Sequence, residues 1–163
     1  MKINSLKYFT TAAGALVFFL FFSSHAHSDS FEADSALAKR AEKKAEELTQ
    51  LVEAQFQIKL DYSEDSIEQL DTVIDQIHGM FIQEQPDDAQ LLPLAQGFGS
   101  YIGEVYRRHH DATWGWITQG TEVFPGLQQA KGGTFWPWTK ALDRIKTNNE
   151  PTISDYYHFL VIR

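Results

Sequence analysis

Residues 91–118 read LLPLAQGFGSYIGEVYRRHHDATWGWIT, and this stretch decides the fold class. Its first part is helical in character. Asp87 or Asp88 stands ready to cap it, and Leu91 to about Arg108 forms its body. Pro93 is tolerable only in a first turn, where its missing N–H has no intrahelical partner to lose. Gly97, Gly99 and Gly103 each cost ~1 kcal/mol of helix propensity against alanine, so they need a packing reason. Gly99 and Gly103 lie four apart on one face, with Leu92 and Ala95 nearby, which lets another backbone approach closely. This is expected to be the central, buried helix. After His109-His110-Asp111 the character changes. Thr113-Trp114-Gly115-Trp116-Ile117-Thr118 is β-branched and aromatic, as a strand prefers, and Gly120 ends it. A helix of this length followed at once by a strand predicts an α+β domain.

Working outward, Thr121-Glu122-Val123-Phe124 is a candidate partner strand, stopped by Pro125-Gly126. Lys131-Gly132-Gly133 reads as a turn. Trp136 to Ile145 is a candidate helix, with Trp138, Leu142 and Ile145 recurring at four and three. Asn148-Asn149-Glu150-Pro151 is a break, and Ser154 to Ile162 is a short closing helix or strand. Upstream, Ile67, Leu70, Ile74, Ile77 and Phe81 form the clearest amphipathic helix in the chain. Ser63 or Ser66 caps it, Ser66 with Gln69 fits a capping box, and Pro86 forbids its continuation. Before it, Phe31 to roughly Lys59 reads as one long helix whose stripe is Leu37, Ala41, Ala45, Leu48, Val52 and Phe56. Phe56 to Leu60 alternates and fits a short strand or the helix end. The expected architecture is about three main helices packed on a small antiparallel sheet.

The first residues read as an address. Lys2 and Lys7 precede an apolar run from Ala12 to Phe22, and small residues from Ser23 to Ser28 follow. Spanning a bilayer takes ~20 apolar residues, which this run does not reach. A signal peptide over 1–28 and a single domain over 29–163 are therefore expected. On this reading the protein is periplasmic or secreted, and it meets the membrane only through the signal segment before cleavage.

Charge and composition exclude several function classes. The net charge is −8, and no strong basic patch offers itself to phosphates, so nucleic acid is not an expected partner. There is no cysteine, hence no disulfide, thiolate metal site or Cys nucleophile. Acids concentrate between Asp29 and Asp88, while the aromatic-rich remainder is close to neutral. Such an acidic face suits a cationic partner or serves as a solvated surface.

Asp61-Tyr62-Ser63 with Ser66-Ile67 and Leu70-Asp71, then Gly99-Ser100-Tyr101-Ile102-Gly103-Glu104, then Trp114, carry a resemblance. They resemble a bacterial family of uncharacterised domains with the pattern D-Y-S-x-x-S-I-x-x-L-D, then G-x-Y-x-G-E, then W. The match spans roughly Leu48 to Phe159. It implies a mixed helical and small-sheet fold and no reaction, so no catalytic residue is carried over.

Few residues offer chemistry. Glu104 sits between Gly103 and Val105 in an apolar helix segment, where burial would raise a carboxyl towards general-acid range. The competing reading is a structural carboxylate paired with Arg107, Arg108 or Arg144. A glycosidase would need a second acid, and Asp61, Asp71 or Asp111 are candidates that the spacing does not separate. His109 and His110 invite a metal, but helix neighbours point ~100° apart, and the positive end of the cluster suits a helix C-terminus. No metal and no cofactor are expected. No nucleophile elbow or dinucleotide fingerprint is present. Trp114, Trp116, Trp136 and Trp138 are candidate binding residues, since indole faces stack on sugars and anchor interfaces. Trp114 and Trp116 share a strand face and suit the core as well.

The sequence thus favours an exported, non-catalytic binding or interaction domain, possible partners being envelope or secreted proteins, in an immunity-like or inhibitor-like role. The alternative is a hydrolase acting on cell-wall glycan or peptide through Glu104.

Overall fold

A computed structural model describes residues 30–84, 86–149 and 151–162. The proposed signal peptide lies outside these residues. The described chain is a single α+β domain whose elements run β1 (Ser30–Ala33), α1 (Ser35–Phe56), α2 (Ser66–Glu84), α3 (Asp88–His109), β2 (Ala112–Gln119), β3 (Glu122–Gln129), β4 (Thr134–Phe135), α4 (Pro137–Thr147) and α5 (Ile153–Ile162). The strands form one antiparallel sheet in the order β1-β2-β3-β4.

Helix α3 is the centre of the molecule. Its residues from Gly97 to Tyr106 are all buried. Of the two expected caps, Asp87 is the one used, and it forms a capping box: Asp87 accepts from the Gln90 amide and the Gln90 side chain accepts from the Asp87 amide. The glycines have their packing reason. A Cβ on Gly99 would stand 2.5 Å from the Trp138 backbone, and one on Gly103 would overlap the Trp114 ring. Gly99 therefore admits α4, and Gly103 admits β2. Leu92, by contrast, points outward and is exposed.

Three expectations are corrected. The first helix does not begin at Phe31. Ser30 to Ala33 is instead an edge strand paired with Ala33 opposite Gly115 and Phe31 opposite Ile117. The reason is local. Asp34 accepts from the Ala36 and Leu37 amides and so caps α1, while its other oxygen takes the Trp116 indole N–H at 2.9 Å. The predicted stripe from Leu37 to Val52 is buried as expected. The second correction concerns Pro125-Gly126, which does not stop β3. Strand β4 reaches only Leu127 and Gln128, so at Pro125 the strand is open on that side and a residue without an N–H fits. Thirdly, the Ser66–Gln69 box does not form; of the two candidate caps of α2, Ser63 serves, its hydroxyl accepting from the Ser66 amide. The Ser66 hydroxyl bonds the Ser63 carbonyl and the Tyr101 hydroxyl rather than completing a box with Gln69. Helices α4 and α5 add to the expected three. Asn148 closes α4 in a left-handed conformation, which asparagine tolerates.

The sheet has two different faces, because successive strand residues alternate. Trp114, Leu127 and Phe135 join the main core against the helices. Phe31, Gly115, Ile117, Phe124 and Gly126 lie on the opposite face. There the Phe31 ring packs where a Gly115 side chain would stand, and Ile117 fills the space at Gly126.

Candidate functional site

Glu104 is the sharpest chemical candidate in the sequence, and it is sealed. Its side chain is 0% exposed. Oε1 accepts from the Trp114 indole at 2.9 Å and from Arg107 Nε at 3.0 Å, while Oε2 accepts from Arg107 Nη2 at 2.7 Å. Arg108 Nε stands 3.8 Å away. The fork of Arg107 and the indole thus occupy the carboxylate and tie α3 to β2. Arg144, the third candidate partner, is elsewhere: it pairs with Asp75 at 2.6 Å and approaches Asp71 at 3.7 Å. The possible second acids are also engaged or distant. Asp61 accepts from Ser63, and Asp71 accepts from the Ile153 and Ser154 amides at the start of α5. Asp111 lines a separate polar cavity of about 320 Å³ beside His109 and His110.

The motif residues are joints between elements. The Tyr101 hydroxyl accepts from the Tyr62 amide at 2.9 Å and shares a 2.6 Å bond with Ser66. Tyr62 holds a left-handed φ of 62°, and the Arg108 guanidinium lies 3.6 Å over its ring. Together with Asp71, Gly103, Glu104 and Trp114, these residues bind α2, α3, α5 and the sheet to one another.

His109 and His110 do not converge. His109 Nε2 meets the Tyr62 carbonyl, and His110 Nε2 meets Glu64 Oε1 at 2.8 Å. Among the described residues no cluster of three His, Asp or Glu side chains is placed to hold a metal ion. Glu64 also accepts from the Tyr157 hydroxyl at 2.7 Å. The His110 and Tyr157 bonds hold its carboxyl below the ordinary value of 4.5. Asp34 and Asp61 are likewise held low, the first by the Trp116 bond and the second by Ser63. A carboxyl held low when folded stabilises the fold above its unfolded pKa and loses that contribution as pH falls through the folded value. The thermal midpoint is therefore expected to be flat above pH ~5 and to fall below pH ~4. Glu64→Gln should flatten part of that fall; an identical acid limb in the variant would remove Glu64 from the account.

The four tryptophans separate. Trp114 is 1% exposed and spends its N–H on Glu104. Trp116 is half-buried and spends its own on Asp34, and Trp138 donates to Ser100 Oγ at 2.9 Å. Of the four, Trp136 borders an open groove. That groove, about 480 Å³ in volume, lies between the outer sheet face, α4 and α5. Trp136, Phe124 and Tyr156 supply its aromatic lining, and Gln119, Thr139 and Asp143 stand at its exposed rim. Phe124 comes from β3, Trp136 from the residue before α4, and Tyr156 from α5. Gly126 makes room for the indole, whose Cδ1 would lie 3.4 Å from a Cβ there. Trp136 Nε1 is buried and without a hydrogen-bond partner.

Burial raises the pKa of the Tyr156 hydroxyl. Lys140 bonds the Pro151 carbonyl and lies 5.9 Å from the Tyr156 ring. The groove is thus preformed. Phe124 and Tyr156 were not among the binding candidates read from the sequence. Their alternation and helix position carry no signal of a shared cavity, because the three aromatics are brought together only by packing of β3, α4 and α5.

No family model matches the chain, and no curated protein is significantly similar to it. A solved crystal structure of a protein from Bacteroides thetaiotaomicron VPI-5482 is similar in fold, with a TM-score of 0.62 at 14% sequence identity. The alignment covers 83% of this chain and 48% of that one, so the chain spans about half the length of that neighbour.

Proposed function

We propose that this chain is an exported, non-catalytic binding domain and that the Phe124–Trp136–Tyr156 groove is its binding site. The observation that carries the reading is the contrast between two places. The groove is open, aromatic and rimmed with polar groups, as small-molecule and interface sites tend to be. Glu104 is enclosed, and each of its oxygens already has donors. A general acid must come within hydrogen-bond reach of substrate, which a sealed and saturated carboxylate does not do without rearrangement. The hydrolase reading therefore has less support than the binding reading.

Export rests on the apolar run between Lys7 and Ser23. Among the described residues no helix is long and apolar enough to cross a membrane. Mass spectrometry of protein recovered from its host is expected to find a mature start near His27 or Asp29. Recovery of the intact chain in the membrane fraction would defeat this part of the proposal.

The binding reading is tested by co-sedimentation of the purified protein with insoluble envelope material from its host. Retention by the wild type and its loss in Trp136→Ala are expected, with no soluble fragments released from the wall. Retention unchanged in the variant would remove the groove from the reading, and wall breakdown abolished by Glu104→Gln would establish the hydrolase instead.

A further inference from the structure

We infer that the groove takes a short neutral oligosaccharide, with one pyranose face laid on the Trp136 and Tyr156 rings. This inference rests on the binding reading above and names its ligand class.

The lining sets the first requirement. Three aromatic rings from three elements present apolar surface within a cavity of about 480 Å³, which lies in the usual range for small-molecule sites. A sugar ring has one face of C–H groups. These carry slight positive charge and meet the negative face of an aromatic ring favourably.

The rim sets the second. Gln119 offers an amide with both donors and an acceptor, Thr139 a hydroxyl, and Asp143 a carboxylate that only accepts. Thr139 and Asp143 are four apart on α4, so they face the groove together. A ligand that donates to Asp143 and accepts from Gln119 or Thr139 makes full use of this rim. Vicinal sugar hydroxyls do both from adjacent carbons.

Peptide ligands meet these requirements less well. A proline-rich segment also favours aromatic grooves, but its proline residues have no N–H and leave Asp143 without a donor. Strand addition needs a run of free backbone donors, and on the edge of β3 that β4 leaves open Pro125 has no N–H to give. A docked helix is ~10 Å across and needs a long apolar trough, whereas this groove carries Lys140 and Asp143 along its α4 side.

Charge sets the last requirement. The chain carries a formal charge of −8, and the groove itself offers no net positive charge, since Lys140 and Asp143 both line it. Polyanionic glycans are therefore disfavoured, and a neutral sugar incurs no such repulsion.

The test is a titration of the purified full-length protein, followed by tryptophan fluorescence and by saturation-transfer NMR. The probes are cellobiose, maltose, mannobiose and N,N′-diacetylchitobiose, with a hexaproline peptide as the rival ligand. At least one disaccharide is expected to saturate in the millimolar range. Trp136→Ala should weaken it roughly tenfold, the loss of a stacking platform. Asp143→Asn, at an exposed position where folding is not at stake, should weaken it roughly threefold by removing a charged acceptor. Binding of none of the four disaccharides overturns the oligosaccharide inference, as does saccharide binding that neither substitution changes, or saturation by hexaproline alone. If the disaccharides fail while envelope co-sedimentation still depends on Trp136, the ligand class is wrong and the binding reading stands. If both fail, the groove is not a binding site.

Discussion

Glu104→Ala is expected to lower the free energy of unfolding by about 3 kcal/mol. Breaking a buried ion pair costs ~3–5 kcal/mol when the remaining charge stays buried. Here Arg107 and Arg108 are 37% and 38% exposed, so both can turn to water once the carboxylate is gone. The estimate therefore falls at the lower end. What cannot escape is the Trp114 N–H, 2.9 Å from Oε1 and deep in the core. Leaving such a donor unpaired costs ~1–3 kcal/mol by itself. Glu104→Gln keeps an acceptor for Trp114 but turns an amide N–H towards Arg107, and a smaller loss of about 2 kcal/mol is expected. Urea unfolding of the three proteins checks the order wild type, Gln, Ala. A Gln variant as stable as wild type would show that the charge contributes nothing to folding. That result would return Glu104 to the list of groups kept for chemistry.

Gly99→Leu is expected to cost about 3 kcal/mol or more. The new Cβ would stand 2.5 Å from the Trp138 Cα and nitrogen, and these are backbone atoms at the start of α4. A side-chain neighbour could rotate away; a backbone neighbour moves only if α4 moves. Displacing α4 also disturbs the Trp138 bond to Ser100 and the buried Ala141 and Ile145. The gain in helix propensity over glycine, ~1 kcal/mol, offsets only part of this. Gly79→Leu is the natural control, since nothing lies within 4 Å of a Cβ there. It should leave stability unchanged or raise it slightly. Equal thermal midpoints for Gly99→Leu and wild type would mean that α4 does not pack against α3 as described.

Both substitutions concern residues whose importance was visible in the sequence, though not their partners. The glycine spacing on α3 announced a close approach, since glycine in a helix has a cost that packing must offset. It did not say that α4 would come to Gly99 and β2 to Gly103. Glu104 stood out as a carboxylate in an apolar run, with arginines three and four residues on. Those partners are local, and helix geometry alone places them on its face. The Trp114 donor arrives from the following strand, and no spacing rule encodes it.

Local periodicity by itself determined the α+β class, helices α2 and α3 and the strand β2, because a core stripe repeats every three to four residues in a helix and every two in a strand. It misplaced the chain start: Phe31 to Ala33 is too short to show a period, and its strand state comes from pairing with β2. Tertiary structure alone decided the groove. Phe124, Trp136 and Tyr156 are separated by 12 and 20 positions, so their meeting depends on how β3, α4 and α5 pack. Sequence patterns record which face of an element is apolar; only the packed chain decides which faces meet and which remain open to a ligand.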